Sequence, residues 1–154
     1  MSHTLPEPTV ARDWPESLKV AGFKVTKQRL AVLHAVEHHP HADAELIAAN
    51  CRETLPALTI QSVYTVLADL TRAGLVRKIQ PHGGAARYET RTNDNHHHAV
   101  CIRCDRIVDV DCAVGHTPCL VPQQDTGMNI LFADVVYRGV CEECQREPLD
   151  LPVN

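Results

Sequence analysis

Apolar residues recur along the first half of the chain with helical spacing. After Thr59, residues Val63, Val66, Leu67 and Leu70 fall at i, i+3, i+4 and i+7, and Gly74 supplies a stop, which predicts an amphipathic helix. At about 100° per residue, Gln61, Thr65, Ala68 and Arg72 point the other way, with Tyr64 on the flank. An earlier helix opens at Thr26, a suitable N-cap, places Leu30, Leu33 and Val36 on one side, and ends at "HHPH". Between the two, a further helix follows Asp43 through Leu46 and Ile47 to about Cys51. The period then changes: "LVRKIQPHGGAARYE" reads as two short strands around a turn from Pro81 to Gly84, carrying Arg77, Lys78 and Arg87. Helices followed by a basic hairpin predict a winged helix. Its third helix would enter a DNA major groove while Lys and Arg on the wing and early helices bind phosphates. The same pattern also suits a small helical domain with a solvated hairpin.

Length and charge sharpen this picture. A chain of 154 residues with 44% hydrophobic composition can bury one core or two small ones. No run approaches the length of a membrane span, and "MSHTLPEPTVARDWPE" lacks the basic start and apolar core of a signal peptide, so a cytoplasmic protein without membrane attachment is expected. The net charge of −4 hides an asymmetry. Residues 1–91 carry eleven Lys and Arg against nine Asp and Glu (+2), whereas residues 92–154 carry four against ten (−6). A mildly basic half joined to an acidic one suggests a polyanion partner for the first and cations for the second.

The second half carries the chemistry. In a reducing compartment seven cysteines, an odd number, point to metal ligands or free thiols rather than a disulfide framework. Cys101 and Cys104 form one C-x-x-C and Cys141 and Cys144 another, together describing a closed four-cysteine zinc site with no open position for catalysis. The 36 residues between the pairs must form a small subdomain stapled by the ion. A redox reading of either pair lacks the βαβ surroundings it needs. Upstream, "NDNHHHAVCIRC" adds three histidines. In an extended strand His96 and His98 share a face and His97 takes the other. Two imidazoles on one face can hold a divalent ion if Glu89, Asp109 or His41 completes the set; otherwise they are a polar surface cluster.

In combination and order, "AGFKVTKQRLAVLHAV", "SVYTVLADLTRAGLVRKI", "RYE", "NHHHAVCIRC" and the later "CEEC" resemble the ferric uptake regulator family of bacterial metal-dependent repressors. The resemblance covers about residues 18–145. It implies an α+β protein: an N-terminal winged-helix DNA-binding domain (1–90), then a small α/β dimerisation and metal-binding domain (91–154) with a four-cysteine zinc site. It further implies a homodimer on double-stranded DNA at an A·T-rich inverted-repeat operator. Carried over residue by residue, the regulatory metal, Fe2+ or Mn2+, falls on His41, Glu89, His96, His98 and Asp109, and the structural Zn2+ on Cys101, Cys104, Cys141 and Cys144. DNA contacts fall on Lys24, Gln61, Ser62, Tyr64, Thr65 and Arg77. There are departures. Asn95 and Ala133 stand where histidines are often found, so a further ion on His97 and His116 is not expected. Thr65 follows Tyr64 where an arginine is common. Cys112 and Cys119 resemble the actinobacterial branch associated with catalase-peroxidase control, and equally suit buried small hydrophobes.

The leading expectation is thus a Fe(II)-responsive repressor of iron-homeostasis or oxidative-stress genes, not an enzyme. A peroxide sensor on the same scaffold, with oxidation of His41 or His96, is the near alternative. A zinc or nickel sensor fits less well, because the hinge set has no cysteine. A zinc hydrolase would need an open coordination position in a pocket, and no H-E-x-x-H occurs. A metal store would not need the helix and wing.

Overall fold

The computed structural model describes residues 12–81, 83–92, 94, 96–111, 124–129 and 135–147. Cys112, Cys119, His116, Asn95 and Ala133 lie outside the described residues. The chain divides into two compact units, one running to Lys78 and including Arg87–Thr92, the other comprising Ile79–Ala86 and the chain from Asn93 onward.

In the first unit, helices α1 (Trp14–Val20), α2 (Lys27–His38), α3 (Ala44–Arg52) and α4 (Ile60–Arg72) precede a two-stranded sheet of β1 (Arg77–Ile79), whose last residue is assigned to the second unit, and β2 (Arg87–Glu89). Helices followed by this hairpin make the winged helix. Each helix starts where a side-chain oxygen satisfies an orphan amide. Asp13 accepts from Glu16 N–H, Thr26 from Arg29, Asp43 from Leu46 and Thr59 from Ser62. Helix α4 ends as its sequence predicts: Gly74, at φ 72, donates its N–H to Thr71 and Leu75 donates to Leu70, closing a Schellman turn. Helix α1 was not expected. Its seven residues bury only Trp14 and Leu18, too short a stripe to show a period, and Pro15 sits at the first turn where no amide is missed. The buried side of α2 is also broader than the pattern indicates. Val32, Leu33, Ala35 and Val36 are buried and Leu30 half-buried, because α1, α3, α4 and β2 all pack on this helix. Leu46 of α3 faces outward at 47% exposure, leaving Ala44, Ile47, Ala48 and Cys51 as that helix's core contribution. Leu67 and Leu33 are wholly buried. Leu67→Ala should therefore cost about 2–5 kcal/mol, checked by denaturant unfolding; a loss under about 1 kcal/mol would contradict this core assignment.

The second unit is a three-stranded sheet in the order β4–β3–β5, built from β3 (His96–Cys101), β4 (Ile107–Asp111) and β5 (Val136–Gly139). Strand β3 is central, antiparallel to β4 and parallel to β5. A four-residue helix, α5 (Glu142–Gln145), follows β5. The antiparallel register sets His98 opposite Asp109 and His96 opposite Asp111. It also runs both ends of β3 into metal-type ligands, histidines at the start and Cys101 at the end.

Candidate functional site

Two knuckles bring the four cysteines together in the second unit. Cys101 closes β3, Cys104 lies in the turn to β4, Cys141 caps α5 and Cys144 lies within it. Their sulfurs all lie within 4.8 Å of one another, and Cys104 Sγ and Cys141 Sγ are 3.7 Å apart. A tetrahedral ion with metal–sulfur bonds of about 2.3 Å separates its sulfurs by about 3.8 Å, so the four thiols fit such an ion. Backbone amides of Cys141, Arg103 and Cys104 donate to the Cys101 sulfur and lower its pKa to about 6. Hydrogen bonding with the Cys141 thiol, together with burial, pushes Cys144 up to about 12. A dication bound by four such thiols would displace their protons. Arg103 ties the knuckles together: Nη1 donates to the Cys144 carbonyl at 2.7 Å and Nη2 lies 3.4 Å from Glu147 Oε2.

The histidine run separates as strand alternation predicts. His96 Nε2 and His98 Nε2 are 3.2 Å apart, and Asp109 Oδ1 lies 3.9 and 3.6 Å from them. His97 takes the opposite side, its ring 6.4 Å from that of Tyr137 in an edge arrangement. All three histidines are buried. His96 Nδ1 donates to Asp94 Oδ1 at 2.7 Å, and since a carboxylate only accepts, a neutral His96 ring keeps its lone pair on Nε2. That is the carboxylate–histidine support common behind metal ligands, and Asp94 is a residue that reading the sequence missed. Its signal was present in "DNH", two positions before the ligand-type histidine.

The first unit holds a second pair. His41 Nε2 lies 3.3 Å from Glu89 Oε2, and Glu89 is buried at 1% exposure. His41 sits at φ 65, left-handed backbone that costs a non-glycine residue about 1 kcal/mol or more. The strain is held by its N–H, which donates to the Tyr88 carbonyl at 2.9 Å, and by the Ala42–Tyr88 bridge to β2. The chain therefore fixes this histidine beside Glu89 at an energetic cost.

Of the residues expected on DNA, Gln61, Tyr64 and Thr65 are exposed on α4, Tyr64 at 49%. Ser62 is occupied in the Thr59 cap, and the Thr65 hydroxyl donates to the Gln61 carbonyl. Lys24 is exposed in the loop before α2, where Arg29 steadies it: Nη1 donates to the Lys24 carbonyl at 2.9 Å, and the guanidinium lies 4.9 Å from the Phe23 ring centre and 3.7 Å from Asp69 of α4. Arg77 is paired inward, 3.6 Å from Glu89 Oε1.

A family model described as the ferric uptake regulator family matches residues 20–117. The chain is 53% identical over 132 residues to a protein named transcriptional regulator FurA of Mycobacterium tuberculosis, covering 86% of this chain and 90% of that one. It is 53% identical over 125 residues to ferric uptake regulation protein 1 of Mycolicibacterium fortuitum, covering 81% and 78%. Among solved structures, the ferric uptake regulator from Pseudomonas aeruginosa with manganese matches with a TM-score of 0.71 at 24% identity, covering 85% of this chain and 99% of that one.

Proposed function

Because the chain belongs to the ferric uptake regulator family, a family of metal-dependent transcriptional regulators and not of enzymes, we propose that it is a Fe(II)-responsive repressor of iron-homeostasis or oxidative-stress genes. The observation that carries this reading is the convergence of His96, His98 and Asp109 on one side of β3, with Asp94 behind His96. Two imidazoles and a carboxylate suit Fe(II) or Mn(II) better than a thiolate set would. His41 and Glu89 complete the ligands, so that both units contribute. The ion supplies positive charge and a fixed coordination geometry. Ligands drawn from both units favour one interdomain posture over others, and only that difference in affinity can shift the equilibrium towards DNA binding. The cysteine site takes Zn2+ and holds the second unit folded, its closed donor set leaving no position for chemistry. The second unit is the dimerisation domain. The protein acts as a cytoplasmic homodimer on an A·T-rich inverted repeat; no described helix is long and apolar enough to cross a membrane.

A mobility-shift titration on operator DNA with and without Fe(II) tests the reading. Shifts that require Fe(II) or Mn(II) support it. Binding that ignores these ions contradicts it, and loss of binding when the Fe(II) form alone meets peroxide assigns the sensor to peroxide instead.

The DNA surface has its own test. Tyr64 contacts a base or sugar, and Lys24 contacts phosphate or the minor groove. Lys24→Ala should weaken binding and reduce the slope of log affinity against log salt by about one. Unchanged affinity and slope would remove Lys24 from the interface.

A further inference from the structure

We infer that Arg77 sets the affinity of the regulatory site by competing with the metal ion for Glu89. The inference rests on the proposed role of Glu89 and His41 as ligands, and on three side chains of the first unit. Glu89, with its side chain 2% exposed, offers Oε2 to His41 Nε2 at 3.3 Å and Oε1 to Arg77 Nη1 at 3.6 Å. A carboxylate this deeply buried stays ionised only if positive charge or hydrogen bonds compensate it. Arg77, always charged and 26% exposed, contributes a fixed positive charge to that compensation from β1.

The consequence for metal uptake has a definite sign. A dication held by Glu89 and His41 must sit close to a fixed guanidinium, and the two repel. The carboxylate charge that Arg77 neutralises is also charge withdrawn from the ion. Arg77 therefore weakens binding and raises the ion concentration at which the regulator switches. The opposite role, a support that merely aims the carboxylate, predicts the opposite sign, so one measurement separates them. Arg77 acts here as an affinity-setting residue without touching the ion.

The experiment measures Mn(II) affinity of the full-length, zinc-loaded protein in the absence of DNA, by competition with a chelating indicator, for wild type, Arg77→Met, Arg77→Gln, Arg77→Lys and Glu89→Gln. Leaving DNA out keeps any role of Arg77 on phosphate from entering the result. Removing the charge should tighten Mn(II) binding by about tenfold in Arg77→Met and Arg77→Gln, as expected for loss of a neighbouring positive charge in a partly buried site. Arg77→Lys should stay near wild type. Thermal unfolding of the metal-free variants supplies a second readout: Arg77→Met, which removes the guanidinium charge beside Glu89, should melt lower than wild type and recover more on adding Mn(II). If Arg77→Met does not fold, Arg77→Gln decides, since it keeps a polar side chain at this position without the charge. Unchanged or weaker affinity in the neutral variants overturns the inference. Glu89→Gln guards the reading beneath it: if that variant binds Mn(II) as wild type does, the regulatory site itself is misassigned.

Discussion

Replacing His96 with alanine is expected to lower affinity for the regulatory ion by about 100-fold or more and to abolish metal-dependent DNA binding, while the four-cysteine ion and the dimer persist. The expected size follows from a comparison: loss of an outer-shell partner alone costs 10–100-fold, and His96 is proposed as a direct ligand. Its Nε2 lone pair is aimed at His98 Nε2, 3.2 Å away, and Asp94 locks its tautomer. His97→Ala is the informative control, because that ring is equally buried but faces Tyr137 on the other side of β3. It should lower the melting temperature through lost packing and leave the metal response nearly intact. Operator titrations with Fe(II) or Mn(II) compare the two; an unaltered response in His96→Ala, or a larger loss in His97→Ala, rejects the assignment of faces.

The second large effect belongs to the cysteines. Cys101→Ser and Cys141→Ser should each lose the ion proposed to be zinc and, with it, the folded second unit and the dimer. The described part of this unit has little core of its own: Ile79, Val100 and Cys101 are its buried hydrophobic residues, and every residue of β5 is exposed. A closed thiolate site is worth about 10–16 kcal/mol of apparent binding free energy in small zinc domains, ample to decide whether so small a unit folds. Zinc content, circular dichroism and gel filtration would show it, and either variant retaining a full zinc equivalent and its dimer would overturn the role. Arg103→Ala, which removes the bond to the Cys144 carbonyl but no sulfur, should keep the fold and weaken zinc binding by about tenfold. A chelator competition that finds wild-type zinc retention in that variant would contradict the bracing role of Arg103.

The parts of this molecule that were legible in the sequence are those set by local rules. Thr26, Asp43 and Thr59 are caps whose oxygen reaches an amide three residues on, and Gly74 is the left-handed residue a Schellman turn requires. The hairpin followed from its turn residues, and the cysteine cluster from two C-x-x-C pairs, since each spacing by itself nearly determines that its thiols face one ion. What escaped was set by contacts distant in sequence. Helix α1 is too short to show a period and is held by the buried Trp14, whose indole donates to Glu37. The parallel pairing of β3 with β5 joins segments some forty positions apart, and the four residues of β5 show no alternation of burial. Arg77 read as a wing cation because nothing near it in sequence reveals Glu89 as its partner. The left-handed backbone of His41 was equally invisible, being imposed by its bond to Tyr88.

One regulatory ion and DNA binding are proposed to be thermodynamically coupled through ligands from both units. Linkage requires the coupling to be reciprocal: the factor by which the ion tightens DNA binding must equal the factor by which DNA tightens ion binding. The most direct test measures Mn(II) affinity of the zinc-loaded protein with and without saturating operator DNA, beside the DNA affinity with and without Mn(II). Both factors should exceed about tenfold and agree with one another in wild type, and both should fall to about one in His41→Ala. Mn(II) affinity that does not change when operator DNA is added would contradict it.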